Sequence, residues 1–202
     1  MRKKFGAFCM ILGALLLFSA VFLLIYNHVE ASKAGQSSAQ VVSQLKDVIP
    51  DSENQPPDSV VEPDISKANP METVEIDGYD YIGYLRVPLL GLELPVVSGW
   101  DYQALQVAPC RFSGSVAQKN LVVIAHNYSS HFGNLDQLQF EDEVLFTDVT
   151  GAVTAYQVAC VDVVPPSSAE EVVSGDFDLA LVTCTYGGKT RFVVYCDEDI
   201  TH

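Results

Sequence analysis

The sequence predicts a mainly-β domain, an antiparallel barrel or sandwich with one or two short helices, carried behind a single membrane-spanning helix. Residues 5–26 are uncharged and almost wholly apolar, close to the ~20 residues that cross a bilayer. From Tyr79 onward, short apolar runs alternate with Gly- and Pro-containing turns, the pattern of many short strands. The segments between those runs have room only for short helices, which leaves an all-β architecture of roughly 125 residues, enough for one core.

Taken in order, residues 1–4 (Met-Arg-Lys-Lys) form a basic tip. Three basic residues before the apolar stretch and none close behind it favour a cytoplasmic N-terminus. A cleaved signal peptide is the alternative, with Val29-Glu30-Ala31 as a loose cleavage site. Signal peptides, however, usually have apolar cores of only ~7–15 residues, which favours an uncleaved anchor over residues 5–26. Residues 27–75 are rich in Ser, Gln, Pro and Asp and read as a flexible extracellular tether, with a short helix allowed over residues 39–49. The folded domain is assigned to residues 76–202.

Within that domain, residues 81–87 and 92–97 read as strands joined by a turn around Pro88 and Gly91, and residues 101–107 as one helical turn. Leu121–Ala125 is a continuous apolar run, expected to be buried on both faces. Residues 131–138 suggest a short helix, and 143–146 and 153–164 suggest strands. Ser167 and Ser168, three residues before Glu170 and Glu171, form a capping-box pattern that opens another short helix. Residues 179–183 and 191–195 are apolar strand runs flanking Gly187-Gly188, a hairpin signature.

All 26 acidic residues follow Tyr26, against eight basic ones in the same part of the chain. So acidic a domain is unsuited to nucleic acids or other polyanions and gains little from an anionic membrane surface. Cys9 belongs to the anchor. Cys110, Cys160, Cys184 and Cys196 lie beyond it, and four cysteines allow three disulfide pairings. Their spacing is not that of a compact disulfide framework, and no CxxC pair marks a zinc site. Cys110, Cys160 and Cys196 lie beside apolar runs and are expected to act as small core hydrophobes. The acidic run Glu141-Asp142-Glu143 reads as a solvated turn. Neither metal nor cofactor is expected.

Cys184 stands where an apolar run meets a polar, Gly-containing loop, and Arg191 opens the next run. His126 closes the run Leu121–Ala125. A thiol acts as a nucleophile when it is partly exposed and near positive charge, and Cys, His and Arg at strand ends supply the parts of a nucleophilic acyl-transfer site. By itself, Cys-x6-Arg is a weak signal; a buried cysteine and a solvated arginine are the commoner reading. His131, five residues after His126, competes with it and is expected to cap a helix or lie in solvent.

Taken together, these residues resemble the sortases, membrane-anchored cysteine transpeptidases of Gram-positive bacterial surfaces. The family signature is a strand ending Thr-Leu-x-Thr-Cys, an arginine opening the next strand and a histidine just past an upstream strand. Ala180-Leu181-Val182-Thr183-Cys184 matches four of the five signature positions, with Ala180 replacing the first threonine. Arg191 and His126 occupy the corresponding places. The likeness runs from about Tyr81 to Tyr195 and includes Ile82-Gly-Tyr-Leu-Arg-Val-Pro88 and Asn134-Leu-Asp-Gln-Leu138.

The resemblance implies an eight-stranded sortase-type barrel. It implies that Cys184 attacks the backbone carbonyl of an LPxTG-like sorting signal, that His126 handles the amine protons and that Arg191 holds substrate and oxyanion. Thr183 is implied to support substrate or oxyanion. The expected partners are surface proteins bearing such signals and a cell-wall precursor amine. Pilus-building members usually carry an Asp-Pro-aromatic lid and a second apolar segment near the C-terminus. Neither appears here, so pilin polymerisation is not expected and a class D or E type is. The calcium site of some class A members has no matching acidic set. An exported thiol peptidase would use the same residues with water as acceptor. A non-catalytic, membrane-tethered β-domain is the alternative from another class.

Overall fold

The computed structural model describes residues 2–50 and 71–199, with side chains described from Met10. Helix α1 spans Arg2–Val48. Nine strands follow: β1 Val74–Ile76, β2 Tyr79–Val87, β3 Leu92–Val97, β4 Cys110–Ser113, β5 Leu121–Ala125, β6 Glu143–Asp148, β7 Val153–Val164, β8 Leu179–Cys184 and β9 Arg191–Glu198. Two short helices interrupt them, α2 Ala104–Val107 and α3 Ala169–Val173.

The strands form one sheet in the order β1-β2-β3-β4-β5-β8-β9-β7-β6, and β6 pairs back onto β2. That last pairing closes eight strands, β2 to β9, into a barrel. β1 is an added edge on the first residues of β2, with Val74 opposite Tyr81. Closure satisfies edges that would otherwise be exposed. The eight-stranded barrel expected from the sequence is therefore the architecture found. Sequence reading missed two strands: β4, four residues including Arg111 and Ser113, and β1, three residues.

Alternation along the strands sorts the side chains into layers. Leu121, Val123 and Ala125 of β5 join Leu179 and Leu181 of β8 in the barrel interior, with Ile82, Leu85, Phe132, Phe146 and Val194. Outside the barrel, Val122, Ala180 and Val193 pack with Val172 of α3. A third apolar cluster joins Val41, Leu45 and Ile49 to Ile76, Tyr81, Val97, Ala104, Leu105, Ala108 and Cys110.

The chain divides into two compact units, residues 1–33 and 34–202. In the first, the apolar side chains from Met10 to Val29 are exposed, and α1 is long and apolar enough to cross a membrane. In the second, residues 34–49 form a helical segment that buries Ala34, Ser38, Val41, Val42, Leu45 and Ile49. These positions recur at the spacing of one helix face. Lys46 reinforces the contact, donating to Glu93 at 2.7 Å. The expected tether over 27–75 is thus helix as far as Val48, and its end belongs to the folded domain. Polar Ser and Gln residues on the outer face had masked the apolar stripe. Residues 51–70 of that tether lie outside the described residues.

Three smaller expectations also change. Residues 131–138 form turns with a 3-10 segment over Leu135–Gln137, not an α-helix. α3 forms, but Ser168 makes no side-chain cap to it; the residue ends a preceding 3-10 turn over Pro166–Ser168, so the capping box is absent. Cys160 is exposed, whereas Cys110 and Cys196 are fully buried. A bulge between Val158 and Cys160 sets Val158 opposite Cys196 but Cys160 opposite Tyr195. The extra residue turns Cys160 onto the outer face. Cys110, Cys160, Cys184 and Cys196 are all free thiols.

Candidate active site

β5 and β8 run parallel, with Val122 opposite Ala180, Ile124 opposite Val182 and Ala125 opposite Thr183. Since side chains alternate along both strands, the next step sets His126 on the same outer face as Cys184. β8 and β9 are antiparallel neighbours in which Cys184 lies directly opposite Arg191. Residues so paired share a face, with Cα atoms ~4.5–5.5 Å apart. Sheet register alone therefore gathers His126, Cys184 and Arg191 at one end of three adjacent strands.

The hairpin that makes this pairing turns through Gly187 (φ 83°) and Gly188 (φ 71°). Two successive left-handed residues suit glycine and few others. Thr185 and Thr190 close the loop, their hydroxyls 2.7 Å apart. Arg191 Nη1 donates to the Gly188 and Thr190 carbonyls, each at 3.1 Å, so the guanidinium is oriented by its own loop. Thr183 is buried, and its hydroxyl donates to the Ala125 carbonyl at 3.0 Å. That bond ties the end of β8 to the residue before His126.

His126, Thr183, Cys184 and Arg191 line one cavity of about 390 Å³, within the usual range of ligand clefts. Its walls are apolar: Leu105, Val122, Ile124, Val172 and Val182 with the aromatic rings of Trp100 and Phe112, whose centroids lie 5.8 Å apart. The segment from Val164 to Ala169 forms one rim. Trp100 is held by the turn before α2, where Asp101 Oδ1 accepts from the Gln103 and Ala104 amides, each at 2.7 Å. Sequence reasoning missed this aromatic wall; its signal was the chain's single tryptophan followed by a helix-capping aspartate.

The electrostatics separate the cysteines and the histidines. Burial pushes the Cys110 thiol up to about 12. Burial likewise raises the Cys196 thiol, helped by the Asp197 and Cys160 charges. The Cys160 thiol is also raised, by partial burial and then by Asp162 and Asp197. These three are poorly suited to exist as thiolates, and none lines the cavity. Burial lowers the His126 pKa below its ordinary value, which favours a neutral imidazole. His131 is fully buried and outside the cavity, so it neither lies in solvent nor faces the thiol. Among the described residues no cluster of His, Cys, Asp and Glu is arranged to hold a metal.

A sortase domain model matches residues 85–199, more than half of the chain. Solved structures with the same fold include sortase C from Clostridium perfringens SM101, at 26% identity and a TM-score of 0.52, covering 59% of this chain and 70% of that one. Sortase C1 from Streptococcus agalactiae matches at 24% identity and a TM-score of 0.55, over 63% of this chain and 72% of that one. Sortase A from Corynebacterium diphtheriae matches at 21% identity and a TM-score of 0.53, over 61% of this chain. The chain spans 64% of the length of that sortase A. A comparison with curated proteins finds no match. With the family model running from the end of β2 through β9, the chain belongs to the sortase family.

Proposed function

We propose that this protein is a membrane-anchored transpeptidase that cleaves an LPxTG-like sorting signal at Cys184 and transfers the acyl fragment to a cell-wall amine. The observation that carries the reading is the convergence of Cys184, His126 and Arg191 on one face at the end of an apolar groove. The proposed arrangement has residues 1–4 in the cytoplasm, 5–26 in the membrane and the barrel outside the cell.

In the first half-reaction His126, neutral at rest, takes the Cys184 thiol proton, and the thiolate attacks the scissile carbonyl carbon, forming a C–S bond while the carbonyl electrons move to oxygen. Arg191, fixed by its loop carbonyls, offers N–H donors to that oxyanion. Collapse breaks the C–N bond, and His126 gives a proton to the departing amine. The resulting thioester is resolved by a second amine: a new C–N bond forms, the C–S bond breaks and His126 takes the proton. Two lower barriers replace one high one. Thr183 contributes by fixing the strand ends and lining the groove floor.

The test is a fluorogenic LPxTG-like peptide assayed with and without an added amine nucleophile, with products separated by mass. The reading expects an amine-ligated product that grows with amine concentration. Hydrolysis unaltered by amine would instead favour a thiol peptidase, and no cleavage of any such peptide would favour a binding domain.

A further inference from the structure

The second histidine of the loop is built into the interface between the helical segment 34–49 and the barrel. Ser38 is 1% exposed and His131 is fully buried. Ser38 Oγ lies 3.2 Å from His131 Nε2 and donates to the Val107 carbonyl at 3.3 Å. With its own proton so placed, Oγ accepts from the imidazole, which makes Nε2 the protonated nitrogen. Nδ1 is buried without a partner, consistent with that tautomer. A buried imidazole N–H needs an acceptor, and Ser38 of helix α1 supplies one.

From His131 the contacts run straight to His126. The His131 and Gly133 amides donate to the Tyr128 carbonyl at 2.9 and 2.8 Å, and the Phe132 amide donates to the His126 carbonyl at 3.2 Å. The Tyr128 ring lies between the two imidazoles, its centroid 5.0 Å from His126 and 5.8 Å from His131. The helix backbone also presses on this loop: a Cβ at Gly35 would fall 2.8 Å from the Ser130 Cβ. The loop is thus pinned by Phe132 in the barrel core on one side and by α1 on the other.

We propose that Ser38 and His131 are positioning residues for His126, so that seating of residues 34–49 on the barrel holds the catalytic histidine loop in its working geometry. The proposal rests on the reading of His126 as the acid–base group. A misplacement of ~1 Å in a reacting group costs about 100-fold in rate, so the anchorage of this loop controls turnover.

The full-length chain in lipid nanodiscs, assayed with the fluorogenic sorting peptide, tests this. Ser38→Ala and His131→Leu are expected to lower kcat about tenfold or more, leave KM within about twofold and move the limb of the pH–rate profile that disappears in His126→Ala. His131→Gln, whose amide can donate from near the Nε2 position, is expected to recover most of kcat. Gly35→Val, which wedges the helix off Ser130, should reproduce the loss without removing either polar group. Near-UV circular dichroism at the assay temperature confirms that each variant is folded. Unchanged kcat and pH profile in folded Ser38→Ala and His131→Leu would overturn the positioning role while leaving the catalytic reading intact. Full activity in His126→Ala would overturn the catalytic reading itself, and the coupling with it.

Discussion

Two histidines five residues apart in one loop live in opposite surroundings. His126 stands at the mouth of the groove beside Cys184; His131 is sealed under α1 with Ser38 as its hydrogen-bond partner. Both are shifted toward the neutral form by burial, His131 down to about 4 with help from the His126 charge and against the Ala34 carbonyl. The difference is access. A neutral imidazole facing a groove can exchange protons with a substrate, whereas one enclosed by protein can only hold its neighbours in place. In the proposed mechanism the same desolvation serves chemistry at one position and architecture at the other.

The sharpest way to break this contrast is at the thiol that faces the first histidine. Cys184→Ala should remove peptide cleavage by at least about 1,000-fold, while Cys160→Ser, on the outer face, should leave the rate within about twofold. The rate of fluorogenic cleavage measures both. Next, His126→Ala should cost about 100- to 10,000-fold in kcat/KM with little change in thermal midpoint, because its ring lines a cavity. Arg191→Ala should cost about 100- to 1,000-fold in kcat, since its proposed role is to donate to the developing oxyanion.

The smallest effect concerns His131 and stability. Its folded-state pKa lies below the ordinary 6.5, so the unfolded chain binds a proton that the folded chain refuses. This site therefore imposes no penalty above about pH 6.5 and a growing one as pH falls toward about 4, on the order of 3 kcal/mol in full. Chemical denaturation between pH 7.5 and about 4 should show that loss in the parent protein and a flatter profile in His131→Gln. An equal slope in both would move the acid sensitivity elsewhere.

The groove end of this contrast was legible in the sequence, and the helix seat was not. Strand alternation and the Gly187-Gly188 turn announce the hairpin pairing of Cys184 with Arg191, and the apolar run before His126 announces its strand. Register then follows from burial, because a one-residue slip would turn Leu121, Val123, Leu179 and Leu181 out of the core. By contrast, the helical segment 34–49 buries a stripe that contains a serine and an alanine among its apolar residues, so its polar composition resembles a linker. The burial of His131 depends on that segment and so could not be read from its own loop. Cys160 looked like a core residue because a bulge, invisible in sequence, reverses its face. The aromatic wall of Trp100 and Phe112 is assembled from the turn before α2 and from β4, whose approach only the folded barrel defines.

The most direct test of the account is mass spectrometry of the protein quenched during turnover of an LPxTG-like peptide. The account predicts an acyl adduct on the peptide containing Cys184, with the mass of the substrate's N-terminal fragment, which disappears when an amine acceptor is added. An adduct on Cys110, Cys160 or Cys196 instead, or amine exchange that persists undiminished in Cys184→Ala, would contradict it.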